Sequence, residues 1–167
     1  CHVDMGLLGT KHVFRTLSRV GRTDLAFRML VNPTRPSPAE WIQKGGTTLW
    51  EDWNNGASRN HIMFGDFAGW AYQYLAGIRL AEGGTPAVPD PFEPAFRAFT
   101  LAPQVIDGLD HVSASTETPY GTIRCAWRRN GESIRLSCTV PAGTTALLRL
   151  PNGEGKRLLP GKHELSL

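Results

Sequence analysis

The chain has 167 residues, 41% hydrophobic and 20% charged, with five tryptophans and a formal charge of +3. That length fits one ordinary domain or two small ones. The basic residues are scattered rather than clustered, which sets a nucleic-acid footprint aside, and no apolar run approaches a transmembrane length.

In chain order, residues 6–30 read as two short helices. Leu7, Leu8, Phe14 and Leu17 approximate a helical stripe, with Gly21 as its stop. Thr23-Asp24 restarts the chain, and Asn32-Pro33 closes the second helix. The proline-bearing stretch 33–44 is expected to be a loop carrying Trp41-Ile42. Residues 65–80 give the strongest helical pattern, with Phe67, Trp70, Ala71, Tyr74, Leu75 and Ile78 on one face. Phe64, Ala68, Tyr72 and Ala76 make a second apolar face, which suits the inner ring of a helical barrel. So few helices cannot cover that much apolar surface, so partner helices are expected from outside this sequence, and self-association in their absence.

Gly83-Gly84 and the prolines that follow mark a connector over 85–95. Beyond it the period changes to two. Strands are expected near 96–101, 111–116, 121–129, 133–140, 145–150, 155–159 and 162–167, with Asn130-Gly131 as a two-residue hairpin turn. Short strands at this spacing predict an antiparallel β-sandwich. The fold class is therefore α+β, with helices over 1–84 and the sandwich over 96–167.

Cys1, Cys125 and Cys138 lack metal-ligand spacing, as do the histidines, and no metal or other cofactor is expected. Cys125 and Cys138 fall on neighbouring strands, as cross-strand neighbours or as two small buried apolar residues. The opening on Cys1 rather than Met suggests a fragment of a longer protein or a processed one, and the compartment stays open.

The chemistry concentrates in Thr47-Thr48-Leu49-Trp50-Glu51-Asp52-Trp53, after Gly45-Gly46, followed by Asn60-His61. Indoles stack on pyranose faces, and a carboxylate can deprotonate a water for attack at an anomeric carbon. Thr48-x-x-Glu51 is also a capping-box pattern, which would make Glu51 a helix-start residue. Asp52 diverges from its neighbour and reads as solvated or salt-bridged, while Asp66 suits a helix N-terminus. Taken singly, His61 is an ordinary half-buried histidine, and Trp41, Trp50 and Trp53 are core or wall. Trp127 and Tyr120 offer either core packing or a carbohydrate platform.

Several of these runs resemble one family. Gly6–Thr10, Leu17–Ala26, Gly45–Glu51, Asn60-His61 and Trp70–Gly77, with Pro103 and Thr118–Gly121 leading into a strand that reaches Trp127, are similar to bacterial α-L-rhamnosidases of glycoside hydrolase family 78. The resemblance implies an (α/α)6 barrel carrying the active site, a C-terminal sandwich, and hydrolysis of terminal α-L-rhamnose with inversion. It implies that Glu51 is the general base and that the His after Asn60, His61, binds rhamnose; beside them one or more of Trp41, Trp50 and Trp53, Trp41 first, are read as lining the sugar pocket. It also implies that the general acid lies upstream, outside this sequence, so that the missing N-terminal barrel is the main partner and the isolated chain is inactive. The competing class is a non-catalytic carbohydrate-binding or structural β-sandwich module with accessory helices.

Overall fold

The computed structural model describes residues 1–54, 56–81, 96–150 and 153–167. Contacts divide the chain into two units, Cys1–Trp70 and Ala71–Leu167. The expected connector over 85–95 lies outside the described residues.

In the first unit, α1 (Leu7–Arg19) and α2 (Thr23–Leu30) form as expected. Gly21 takes φ +79°, and the Gly21 and Arg22 amides return to the Ser18 and Leu17 carbonyls, ending α1. The stretch 33–44 corrects the loop expectation, because it holds a short helix, α3 (Pro38–Gln43). The Ser37 side chain accepts the Glu40 N–H and Pro38 opens the first turn, so Ser-Pro-x-Glu was a helix start among the prolines. A 3₁₀ turn (Ile62–Gly65) leads into α4 (Asp66–Trp70). α4 packs on α1 through Phe14, whose ring meets Phe67 and Trp70 edge-on at 4.9 and 5.4 Å. Buried Trp70 donates to Ser18 Oγ at 2.8 Å, and Arg15 grips Asp66 through both carboxylate oxygens at 2.6 and 3.0 Å.

The second unit begins with a π-helical turn (Ala71–Leu75), and here the expected helix over 65–80 is corrected. Its last carbonyls are capped by the β unit instead of by further helix. Gln73 O accepts Arg79 Nε, Tyr74 O accepts the Gln104 N–H, and Leu75 O accepts Trp127 Nε1 at 2.9 Å. Gly77 then turns the chain at φ +79°, where a Cβ would sit 2.1 Å from Pro103 N. Only glycine serves there. Ile78, which matches the helical stripe, instead opens a strand. The expected second apolar face is split, with Phe64 and Ala76 buried and Ala68 and Tyr72 exposed.

Among the described residues eight strands form two sheets. β1 (Ile78–Leu80), β2 (Ala98–Leu101), β6 (Thr145–Arg149) and β7 (Gly155–Leu158) make one, in the order β1-β2-β6-β7. β3 (His111–Thr118), β4 (Gly121–Asn130), β5 (Ser133–Val140) and β8 (Gly161–Ser166) make the other, in the order β3-β4-β5-β8. All pairings are antiparallel except β2 with β6, which corrects the wholly antiparallel expectation. After Leu101 the chain threads three strands of the second sheet before returning at Thr145, and it re-enters in the same direction.

Alternation explains the core. Ile123, Cys125, Trp127, Leu136, Cys138 and Val140 from the second sheet meet Ile78, Phe99, Leu101, Ala146, Leu148 and Leu158 from the first. Each large side chain so buried stabilises the unit by about 1.5–3 kcal/mol before chain entropy is subtracted. Trp127 belongs to this core and forms no carbohydrate platform, while Tyr120 is half-buried at the β3–β4 turn. The β4–β5 register pairs Asn130 with Ser133, so the turn residues are Gly131-Glu132, one place later than expected. Gly131 supplies the positive φ of +62° at the first turn position.

Candidate active site

The Thr47–Trp53 stretch does not start a helix, so the capping-box reading of Thr48 and Glu51 is corrected. The chain instead folds back on itself. The Glu51 N–H donates to Ser58 O at 2.8 Å, the His61 N–H donates to Leu49 O at 2.7 Å, and the Thr48 hydroxyl donates to Arg59 O. In this extended pairing adjacent side chains diverge. Trp50 turns inward and Glu51 outward.

Beneath the loop lies an aromatic cluster of Trp41, Trp50 and Phe64, flanked by Trp53 and Phe67. Trp41 and Trp53 stack at 4.7 Å, Phe64 meets Trp41 edge-on at 5.1 Å, and Trp41 and Trp50 lie 6.0 Å apart. Gly46 makes this closeness possible, since a Cβ there would stand 2.7 Å from Trp41 O and 3.1 Å from the Trp50 ring. Of the glycine pair before the motif, Gly46 is thus a packing requirement, while Gly45 has open space around it and takes φ +78°. Arg59 lies over the Trp50 ring, 5.0 Å from its centre.

Asp52 ties the loop tip. Its Oδ1 accepts the N–H groups of Asn54 at 2.9 Å and Gly56 at 3.3 Å, so its role is a local turn rather than a salt bridge. That tip returns the chain at Ser58, whose N–H donates to Glu51 Oε2 at 3.1 Å. The other oxygen, Oε1, stands 4.0 Å from His61 Nε2, too far for a direct hydrogen bond. His61 caps the 3₁₀ turn by accepting the Met63 N–H on Nδ1 at 3.4 Å. A neutral imidazole accepting at Nδ1 carries its proton on Nε2, facing the carboxylate.

The structure therefore brings Glu51 and His61 together, with side chains 37% and 27% exposed. Asn60 is exposed beside them, its N–H donating to Ser58 Oγ. Trp41 and Trp50 are 2% and 4% exposed and present no open ring face. Asp66 sits at the start of α4 as expected, but its partner is Arg15. Ser58 and Arg59 escaped sequence reading, the first because its contribution is a backbone N–H that no residue type announces. Among the described residues no group of three His, Cys, Asp or Glu side chains gathers as a metal site, and no helix is long and apolar enough to cross a membrane.

Two family models match nearly end to end. Residues 1–75 match the bacterial α-L-rhamnosidase 6 hairpin glycosidase domain, and residues 88–164 match the bacterial α-L-rhamnosidase C-terminal domain. An α-L-rhamnosidase of Formosa agariphila is 30% identical across 94% of this chain, which covers 17% of that relative. The native α-L-rhamnosidase of Aspergillus terreus superimposes with a TM-score of 0.86 and 28% identity, covering 99% of this chain and 20% of that one. The Streptomyces avermitilis α-L-rhamnosidase complexed with L-rhamnose gives 0.84 and 25%, covering 99% and 18%. The chain thus spans about one sixth of the curated relatives it matches. With a stretch matching the glycosidase domain followed by the C-terminal domain, it belongs to the bacterial α-L-rhamnosidase family.

Proposed function

We propose that this chain is the base-bearing part of an inverting α-L-rhamnosidase that releases terminal α-L-rhamnose from glycosides. Glu51 is the general base. Oε2 is tethered by the Ser58 amide, which leaves Oε1 to take a proton from the attacking water. His61, with Nε2–H turned to the same side, and Asn60 orient the sugar. Trp41 and Trp50 act from beneath, holding the loop in place. The observation that carries this reading is the Glu51–His61 pair on an anchored loop, within a stretch that matches the glycosidase domain.

Residues 1–75, the stretch that matches the glycosidase domain, then belong to the helices of an (α/α)6 barrel, and β1 with the strands from residue 98 onward to the sandwich that follows it. Inversion needs a protonated carboxyl roughly 6.5–9.5 Å from the base, on the leaving-group side. That acid comes from barrel residues outside this chain, and the 167 residues alone do not turn over. The test is Glu51→Gln in a longer chain that carries the barrel. Its kcat should fall by about 10²–10⁴-fold with KM little changed, and NMR of the wild-type reaction should show inverted rhamnose as the first product. Normal turnover by Glu51→Gln would remove the base assignment.

A further inference from the structure

Cys125 and Cys138 face each other in direct register across the β4–β5 ladder, with their sulfurs 3.9 Å apart. Both are free and buried, at 0% and 3% exposure, among Ile123, Trp127, Leu136 and Val140. The proposed chemistry uses neither. Directly opposed residues of an antiparallel pair have Cα atoms about 4.5–5.5 Å apart, inside the window of about 4.4–6.8 Å in which disulfides occur. Side-chain rotation, rather than backbone travel, therefore covers the remaining sulfur separation. We infer that Cys125 and Cys138 form a dithiol modification site that a disulfide oxidant closes into a cross-strand bond between β4 and β5.

The two thiols are not equivalent. The hydrogen bond with Cys138, and then burial, push the Cys125 thiol well up, whereas its bond with Cys125 brings the Cys138 thiol down. Cys138 is accordingly the attacking thiolate. With glutathione disulfide it forms a mixed disulfide and expels one glutathione thiolate. Cys125 then gives up its proton and attacks Cys138 Sγ, expelling the second glutathione thiolate. The protein dithiol loses two electrons and two protons, and one glutathione disulfide becomes two glutathione thiols. Because both sulfurs are buried, exchange waits on opening of the β4–β5 pair, so closure is slow in the folded chain and fast during refolding.

The test uses the full 167-residue chain carrying Cys1→Ser, which leaves only this pair of thiols. The reduced, unfolded chain is refolded in glutathione disulfide and glutathione, then denatured, alkylated and mapped by mass spectrometry. The expected result is a cross-linked Cys125–Cys138 peptide with no alkylated thiol, in protein whose near-ultraviolet circular dichroism matches the reduced chain. The folding equilibrium constant should rise by about a hundredfold for a bond closing a loop of this size, and dithiothreitol should reverse the gain. Two alkylated thiols, or glutathione adducts without a cross-link, would overturn the inference. So would a cross-link found only in protein that has lost its native dichroism.

Discussion

Residues 71–167 gather side chains from both sheets into one closed core, while residues 1–70 bury Trp41, Trp50 and Phe64 in one small cluster, bury Phe14 and Trp70 outside it, and leave large apolar groups in the open. Among the described residues Leu8, Val20, Ile42 and Ile62 of the helical unit are each at least two-thirds exposed, and in the β unit only Leu159 approaches that. A sheet pair satisfies its own backbone and buries one face of each strand. The four short helices, 3₁₀ turn and loop of residues 1–70 leave these apolar groups uncovered, and they are the face that the proposed barrel neighbours would close over. The proposed chemistry lies in the helical unit.

Several changes would break or sharpen this contrast, beginning with the largest. Trp127→Ala removes a core indole and the cap on Leu75 O, and should cost about 3–5 kcal/mol in denaturant unfolding. Gly77→Ala forces a side chain into the Ala102–Pro103 backbone at a positive φ, and should cost at least about 2 kcal/mol by the same measurement. In the helical unit, Ser37→Ala deletes the cap of α3 and should cost about 1 kcal/mol. Arg135→Ala, in an exposed pair with Glu164, should move stability by less than about 0.5 kcal/mol. The contrast itself is read by amide exchange, where β4 and β5 should be protected most and α2 least. Sedimentation at rising concentration should show self-association, weakened by Leu8→Glu and Ile62→Lys together. A strictly monomeric wild-type chain would remove that expectation.

The sheets were legible in the sequence because period-two alternation is a local property, and the strands predicted from 96 onward appear within a residue or two. The parallel pairing of β2 with β6 was not, since it depends on where the chain returns. The helix over 65–80 failed at its end for a similar reason. Ile78 fits the stripe, but Trp127 and Gln104 compete for the carbonyls that further helix would need. Gly77 was the available warning. In the loop, residue types located Glu51 and His61, while the anchoring came from Ser58 N–H and the Asp52 turn, which no motif announces. Trp41 was placed on a loop near the sugar and lies buried on α3, because Ser37-Pro38-x-Glu40 was a stronger signal than the surrounding prolines.

The most direct test of the account is hydrolysis of an aryl α-L-rhamnoside by this 167-residue chain, beside a longer chain that supplies the barrel. Turnover by the longer chain alone, lost with Glu51→Gln, is the predicted result. Turnover by the 167 residues on their own, abolished by the same substitution, would place both carboxyl groups within them and contradict the account.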